Sequence, residues 1–169
     1  MAEGVAAKRA PGAARHGSKR ARGAADELIN PMDRFVGYKI RRVQHAIINE
    51  LNDILRPFEL RVMDFAILNI VDANPGLIQN GITKLLGAEP PAVVLSLDRL
   101  EGGKYLTRQA SADDRRLRTL HLTASGRRLL KAVNAKVDQQ EQRIKRPIGA
   151  DLPGFVRALG DLMDTYGLR

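Results

Sequence analysis

The feature that most constrains this chain is a change of hydrophobic period, made once and then reversed. From Phe35 to Leu100, apolar residues recur at three- and four-residue steps, as they do on helix faces. Over Leu117-Arg118-Thr119-Leu120-His121-Leu122 they alternate with polar ones, as in a half-buried strand. Tyr105-Leu106-Thr107-Arg108 reads as a shorter strand before it, and Ser111-Ala112-Asp113-Asp114-Arg115-Arg116 as a charged turn between the two. From Thr123 the helical step returns. The expected fold is mainly α with one small β hairpin.

Prolines and glycines place the helix ends. The stripe Phe35/Val36, Ile40, Val43, Ile47, Leu51, Ile54 predicts a long helix, which Pro57 stops because its ring and missing N–H disrupt the turn before it. Leu60, Met63, Ile67 and Ile70 make a second stripe, ended by Asn74-Pro75-Gly76. A short helix through Ile82, Leu85 and Leu86 closes at Gly87. The next opens at Pro90-Pro91, where a first-turn N–H would be unpaired anyway, and ends at Gly102-Gly103. After the hairpin, Thr123 caps a long helix striped by Leu129/Leu130, Val133, Val137, Gln140 and Ile144. A last helix carries Phe155/Val156, Leu159, Leu162/Met163 and Tyr166, and stops at Gly167.

Two short helices joined by a tight turn and followed by a hairpin make a winged helix-turn-helix. In that motif the second short helix, here Pro91 to Leu100, enters a major groove. The wing lies along the backbone or in the next minor groove, and arginine suits both places. Charge agrees: the chain carries +9, and residues 1–25 hold Lys8, Arg9, Arg15, Lys19, Arg20 and Arg22 against Glu3 alone. That Ala/Gly/Lys/Arg segment buries too little to offset its ordering entropy and is expected to be disordered, either an arm on DNA phosphates or a solvated tail.

Other classes are disfavoured. No cysteine means no disulfide, thiol nucleophile or Cys-ligated zinc. Three Tyr, four Phe and no Trp argue against a base-stacking surface. His16, His45 and His121 are dispersed, without ligand spacing, so no metal is expected. There is no phosphate-cradling glycine loop and no nucleophile beside a base, so neither enzyme nor cofactor is expected. Asp98 and Glu101 share a helix face, but an Arg-rich setting favours a structural salt bridge over acid–base work. No apolar stretch can span a bilayer and none resembles a signal peptide, so a cytoplasmic location is expected.

Four short motifs in order carry a family resemblance: Asp98-Arg99-Leu100-Glu101, Leu106-Thr107-Arg108, Asp114-Arg115-Arg116 and Leu122-Thr123-Ala124-Ser125-Gly126. This series resembles the signature of the MarR family (multiple antibiotic resistance regulators). The resemblance implies a homodimer on double-stranded DNA, a repressor released from a palindromic operator by a small molecule. It implies a division into a basic tail (1–26), an N-terminal dimerisation helix (27–57), the winged helix-turn-helix (58–123) and C-terminal dimerisation helices (124–169). Val36 to Gln44 and Ala73 to Leu77 are similar to the branch controlling aromatic-acid breakdown, whose effectors are aromatic acids or their coenzyme A thioesters. A ligand-independent accessory or architectural DNA-binding protein is the competing reading.

The DNA-binding candidates are Pro91, Ala92, Ser96 and Arg99 on the second short helix, and Lys104, Arg108, Arg115 and Arg116 around the wing. Ser96 and Arg99 are that helix's hydrogen-bonding candidates, and Ala92 suits a thymine methyl. Lys104 and Arg108 either touch phosphates or end strands in solvent. One of Arg115 and Arg116 is expected on DNA, the other in a pair with Asp98 or Asp114. Lys104 stands where the family usually has glycine, so the turn into the wing is expected to shift by a residue. The effector candidates are Tyr38, Arg41, Arg42 and His45 on neighbouring turns of the first helix, with Phe58, Asp64 and Phe65 walling the same pocket. A solvated helix face and core packing are the plainer readings of those residues.

Overall fold

A computed structural model describes residues 29–111 and 116–168. The basic tail 1–26 and Arg115 lie outside the described residues. The chain divides into two units, Met1–Arg41 and Arg42–Arg169.

In the first unit, Pro31–Arg34 forms a single 3-10 turn. The Asn30 side chain caps it, accepting from Met32 N at 3.1 Å, while its Nδ2 donates to Tyr38 Oη at 3.0 Å. The Arg34 guanidinium lies 4.6 Å from the centre of the Phe35 ring. Helix α1 (Val36–Leu55) begins in this unit.

The second unit contains the rest of α1, then α2 (Val62–Ala73), α3 (Gln79–Leu86), α4 (Pro90–Gly102), β1 (Leu106–Ala110), β2 (Arg118–Leu122), α5 (Ala124–Lys145) and α6 (Leu152–Thr165). Its core is built from Leu55, Ile67, Leu68, Ile82, Leu97 and Leu100, together with Leu106 and Leu120 from the hairpin and Leu130 and Val133 from α5. Full burial of each such side chain contributes about 1.5–3 kcal/mol. Helix α2 is the central post and packs against α4, β2 and α5. Leu85, expected in the α3 stripe, is instead 63% exposed.

The hairpin is antiparallel, with Leu106 opposite Leu122 and Ala110 opposite Arg118. A third extended piece was not apparent in the periodicity. Gly76 N donates to Leu120 O (3.1 Å), Leu120 N donates to Leu77 O (2.9 Å), and Ile78 bridges Thr119. The segment 76–78 thus occupies the free edge of β2 and ties the entry of α3 to the wing. Three residues are too few to display alternation.

Helix α5 starts as its sequence predicts: Thr123 Oγ1 accepts from Gly126 N at 2.9 Å. Gly126 is obligatory, because a Cβ there would lie 2.0 Å from Tyr105 O. Farther along, Gln140 is 3% exposed, and its Nε2 donates to Ile47 O of α1 at 2.9 Å. Arg143 pairs with Glu50 of α1 beside it. Helix α6 presents Phe155, Val156, Leu159, Leu162 and Met163 to solvent.

Candidate nucleic-acid interface

Helices α3 and α4 are joined through Gly87, whose φ of +55° closes α3 in a conformation that costs glycine little. Helix α4 buries one face, Val93, Ser96, Leu97 and Leu100, and exposes the other, Pro91, Ala92, Val94, Leu95 and Asp98. Pro91 and Ala92 are thus on the solvent-exposed side of the helix.

Ser96 and Arg99 are engaged inward. Ser96 is 1% exposed, and its Oγ accepts from Arg99 Nη2 at 2.8 Å. The same guanidinium donates to both carboxylate oxygens of Asp64 on α2, through Nη2 at 2.8 Å and Nε at 3.4 Å. Both residues are corrected from base readers to fasteners of α4, since a buried hydroxyl and a guanidinium turned toward α2 cannot reach a base edge. Asp64 is corrected with them. It is 2% exposed and also accepts from Arg61 N at 3.0 Å, capping α2, so it does not wall an effector pocket.

Arg108 is likewise engaged. Its Nη2 donates to Asp98 Oδ1 at 2.7 Å and its Nη1 to Glu101 Oε2 at 2.5 Å. Burial works against its charge. The hydrogen bond and charge of Asp98 and those of Glu101 outweigh this, so its pKa is raised above the ordinary guanidinium value. The residue expected at a phosphate or in solvent is thus the brace between α4 and β1, holding Asp98 and Glu101. The salt bridge expected of Asp98 and Glu101 is present.

Lys104 adopts the left-handed conformation itself, at φ +60°. The Lys104 carbonyl accepts from Thr123 Oγ1 and from Ser125 Oγ, both at 2.7 Å, and this pair of hydroxyls holds the turn where glycine would relax into it. Its side chain is exposed, as is that of Arg116 in the turn between β1 and β2. On α1, Tyr38 and Arg41 belong to the first unit, and Arg42 and His45 to the second. Arg42 and His45 are exposed, and Asn49 Nδ2 donates to His45 Nδ1 at 3.2 Å. Phe58 and Phe65 are half-buried against the core.

Among the described residues, no group of acids and histidines is arranged to hold a metal ion, and no helix is long and apolar enough to cross a membrane. A family model described as MarR family matches residues 58–117. Among solved structures, the transcriptional repressor CouR bound to a 23-mer DNA duplex is 30% identical, with a TM-score of 0.72 over 82% of this chain and 99% of that one. The chain belongs to the MarR family. CouR from Rhodococcus jostii RHA1 bound to p-coumaroyl-CoA is 26% identical, with a TM-score of 0.70 over 78% of this chain and 92% of that one. The S. aureus MepR–DNA complex is 25% identical, with a TM-score of 0.72 over 79% and 98% of the two chains. MarR membership accounts for the order of elements from α2 through α5. Within that order this chain has a left-handed lysine in the turn into the wing, and an α4 whose Ser96 and Arg99 are engaged inward.

Proposed function

We propose that this chain is a ligand-responsive, DNA-binding transcriptional repressor of the MarR family. It works in the cytoplasm as a homodimer on a palindromic operator. The observation that carries this reading is the likeness, at 30% identity across nearly all of its chain, to a repressor seen on a DNA duplex. The geometry supports it: α4 offers an exposed face beside a wing with exposed cations, the arrangement that places a helix in a major groove. Two copies related by a twofold axis would set the half-sites about one helical turn of DNA apart, or a multiple of it.

The effector is an aromatic acid or its coenzyme A thioester. The p-coumaroyl-CoA complex of CouR supports that class. Arg42 and His45, exposed on α1, supply cation and imidazole for its carboxylate or phosphates. Release follows if the ligand prefers a dimer arrangement that does not fit the operator.

The test is a footprint on the DNA upstream of the chain's own gene, with excess non-specific competitor and with or without p-coumaroyl-CoA and free aromatic acids. A protected palindrome that clears on adding one of them is the expected result. Diffuse protection that vanishes with competitor or moderate salt would overturn it, leaving the electrostatic attraction of an accessory protein.

A further inference from the structure

Helix α4 cannot read bases in the commonest way. Its sequence, PPAVVLSLDRLEG, contains two side chains that can donate a hydrogen bond, Ser96 and Arg99. Ser96 is buried, and Arg99 is turned onto Asp64 and Ser96. Its acceptors Asp98 and Glu101 carry Arg108. The backbone adds nothing: Pro90 and Pro91 have no N–H, and the N–H groups of Ala92 and Val93 both donate to Glu89 O. An arginine fork on guanine and an amide fork on adenine are both missing from this helix.

What α4 presents instead is apolar. Leu95 is 61% exposed and Val94 36%, with exposed Pro91 and Ala92 beside them. Exposed branched aliphatics on the groove-facing side of a helix-turn-helix need a matching apolar feature. The major-groove edge of DNA has one, the 5-methyl group of thymine. Exposed Lys84 on α3 and Lys104 after α4 supply the complementary charge for the phosphates on either side.

We propose that α4 reads its half-site through thymine 5-methyl groups, with Leu95 and Val94 as the contacting side chains and Pro91 and Ala92 closing the surface around them. This rests on the DNA-binding reading above and names the chemistry by which that site discriminates. Shape readout by the wing adds to it but does not replace it.

The test uses the full chain and the protected operator duplex, with thymines of both half-sites replaced by deoxyuridine. The replacement removes the methyl and keeps every hydrogen-bonding group. Affinity at fixed salt should fall roughly fourfold for each contacted methyl, the value of burying one such group. A random duplex should show no change. Leu95→Ala and Val94→Ala, both at exposed positions, should weaken binding to the natural operator and lose most of the sensitivity to deoxyuridine, with the helical signal unchanged. Equal affinity for the thymine and uracil duplexes overturns the proposal. So does an undiminished loss in both alanine variants, which would report DNA shape. If the chain fails to distinguish operator from random DNA, the DNA-binding reading falls too, and the two failures are separable.

Discussion

At the scale of single residues, the charged groups nearest α4 serve the fold before they serve DNA. Arg99 is one. Removing it leaves the Asp64 carboxylate buried without its partner. Because the Arg99 side chain is itself 36% exposed, the cost falls below that of a fully enclosed pair. Arg99→Ala should lower stability by about 2–3 kcal/mol in denaturant unfolding. The order of preference among operator variants should stay as in the parent, which a base-reading arginine would not allow. Lys104 works in the opposite sense. A left-handed L-residue costs about 1–2 kcal/mol, and glycine gives back about 0.5–1 of that through its freer unfolded chain. Lys104→Gly should therefore stabilise by about 0.5–1 kcal/mol, measured by the same unfolding midpoint. It should also remove one cation from the salt dependence of DNA binding if the side chain meets a phosphate.

At the scale of elements, the joint between wing and α5 leaves no room for a side chain at Gly126. Gly126 sits against the Tyr105 carbonyl, with main chain on main chain, so no side chain can swing away to make room. Gly126→Ala should cost about 3 kcal/mol or more and appear as a lowered thermal midpoint by circular dichroism. The wing itself is tested by Arg115→Ala combined with Arg116→Ala. Operator affinity should drop, and the slope of log K against log salt should flatten by about 1–2 as phosphate contacts are lost. Helices α2 to α6 and the hairpin were legible because each is bounded by a proline, a glycine or a capping hydroxyl and striped at its own period. The pairings were not. Asp64 and Arg99 lie 35 residues apart, and Arg108 reaches Asp98 only because β1 folds back over α4. Residue types along the chain marked Ser96, Arg99 and Arg108 as polar and near the groove. Which way they face depends on which side of α4 the core occupies. Ser96 follows Val93 and precedes Leu97 and Leu100 on the buried side, and that signal was available in the stripe.

At the scale of the molecule, α6 exposes an apolar row that one chain does not cover. Phe155, Val156, Leu159, Leu162 and Met163 are each between 38% and 58% exposed. A second copy of the chain is the partner that the proposed homodimer supplies. Leu159→Glu with Leu162→Glu should give a monomer in sedimentation. It should also weaken operator binding by more than tenfold while leaving weak, salt-sensitive attachment to any duplex. The grip of Gln140 on α1 has a different kind of consequence. Its hydrogen bond ends on the main-chain carbonyl of Ile47, a group that any residue at that position supplies. That bond is therefore indifferent to the side chain at position 47, whereas Glu50, which accepts from Gln140 Nε2 at 3.4 Å and pairs with Arg143, is tied to its own letter. Descendants of this chain can change position 47 while its hydrogen bond to α5 is inherited unchanged.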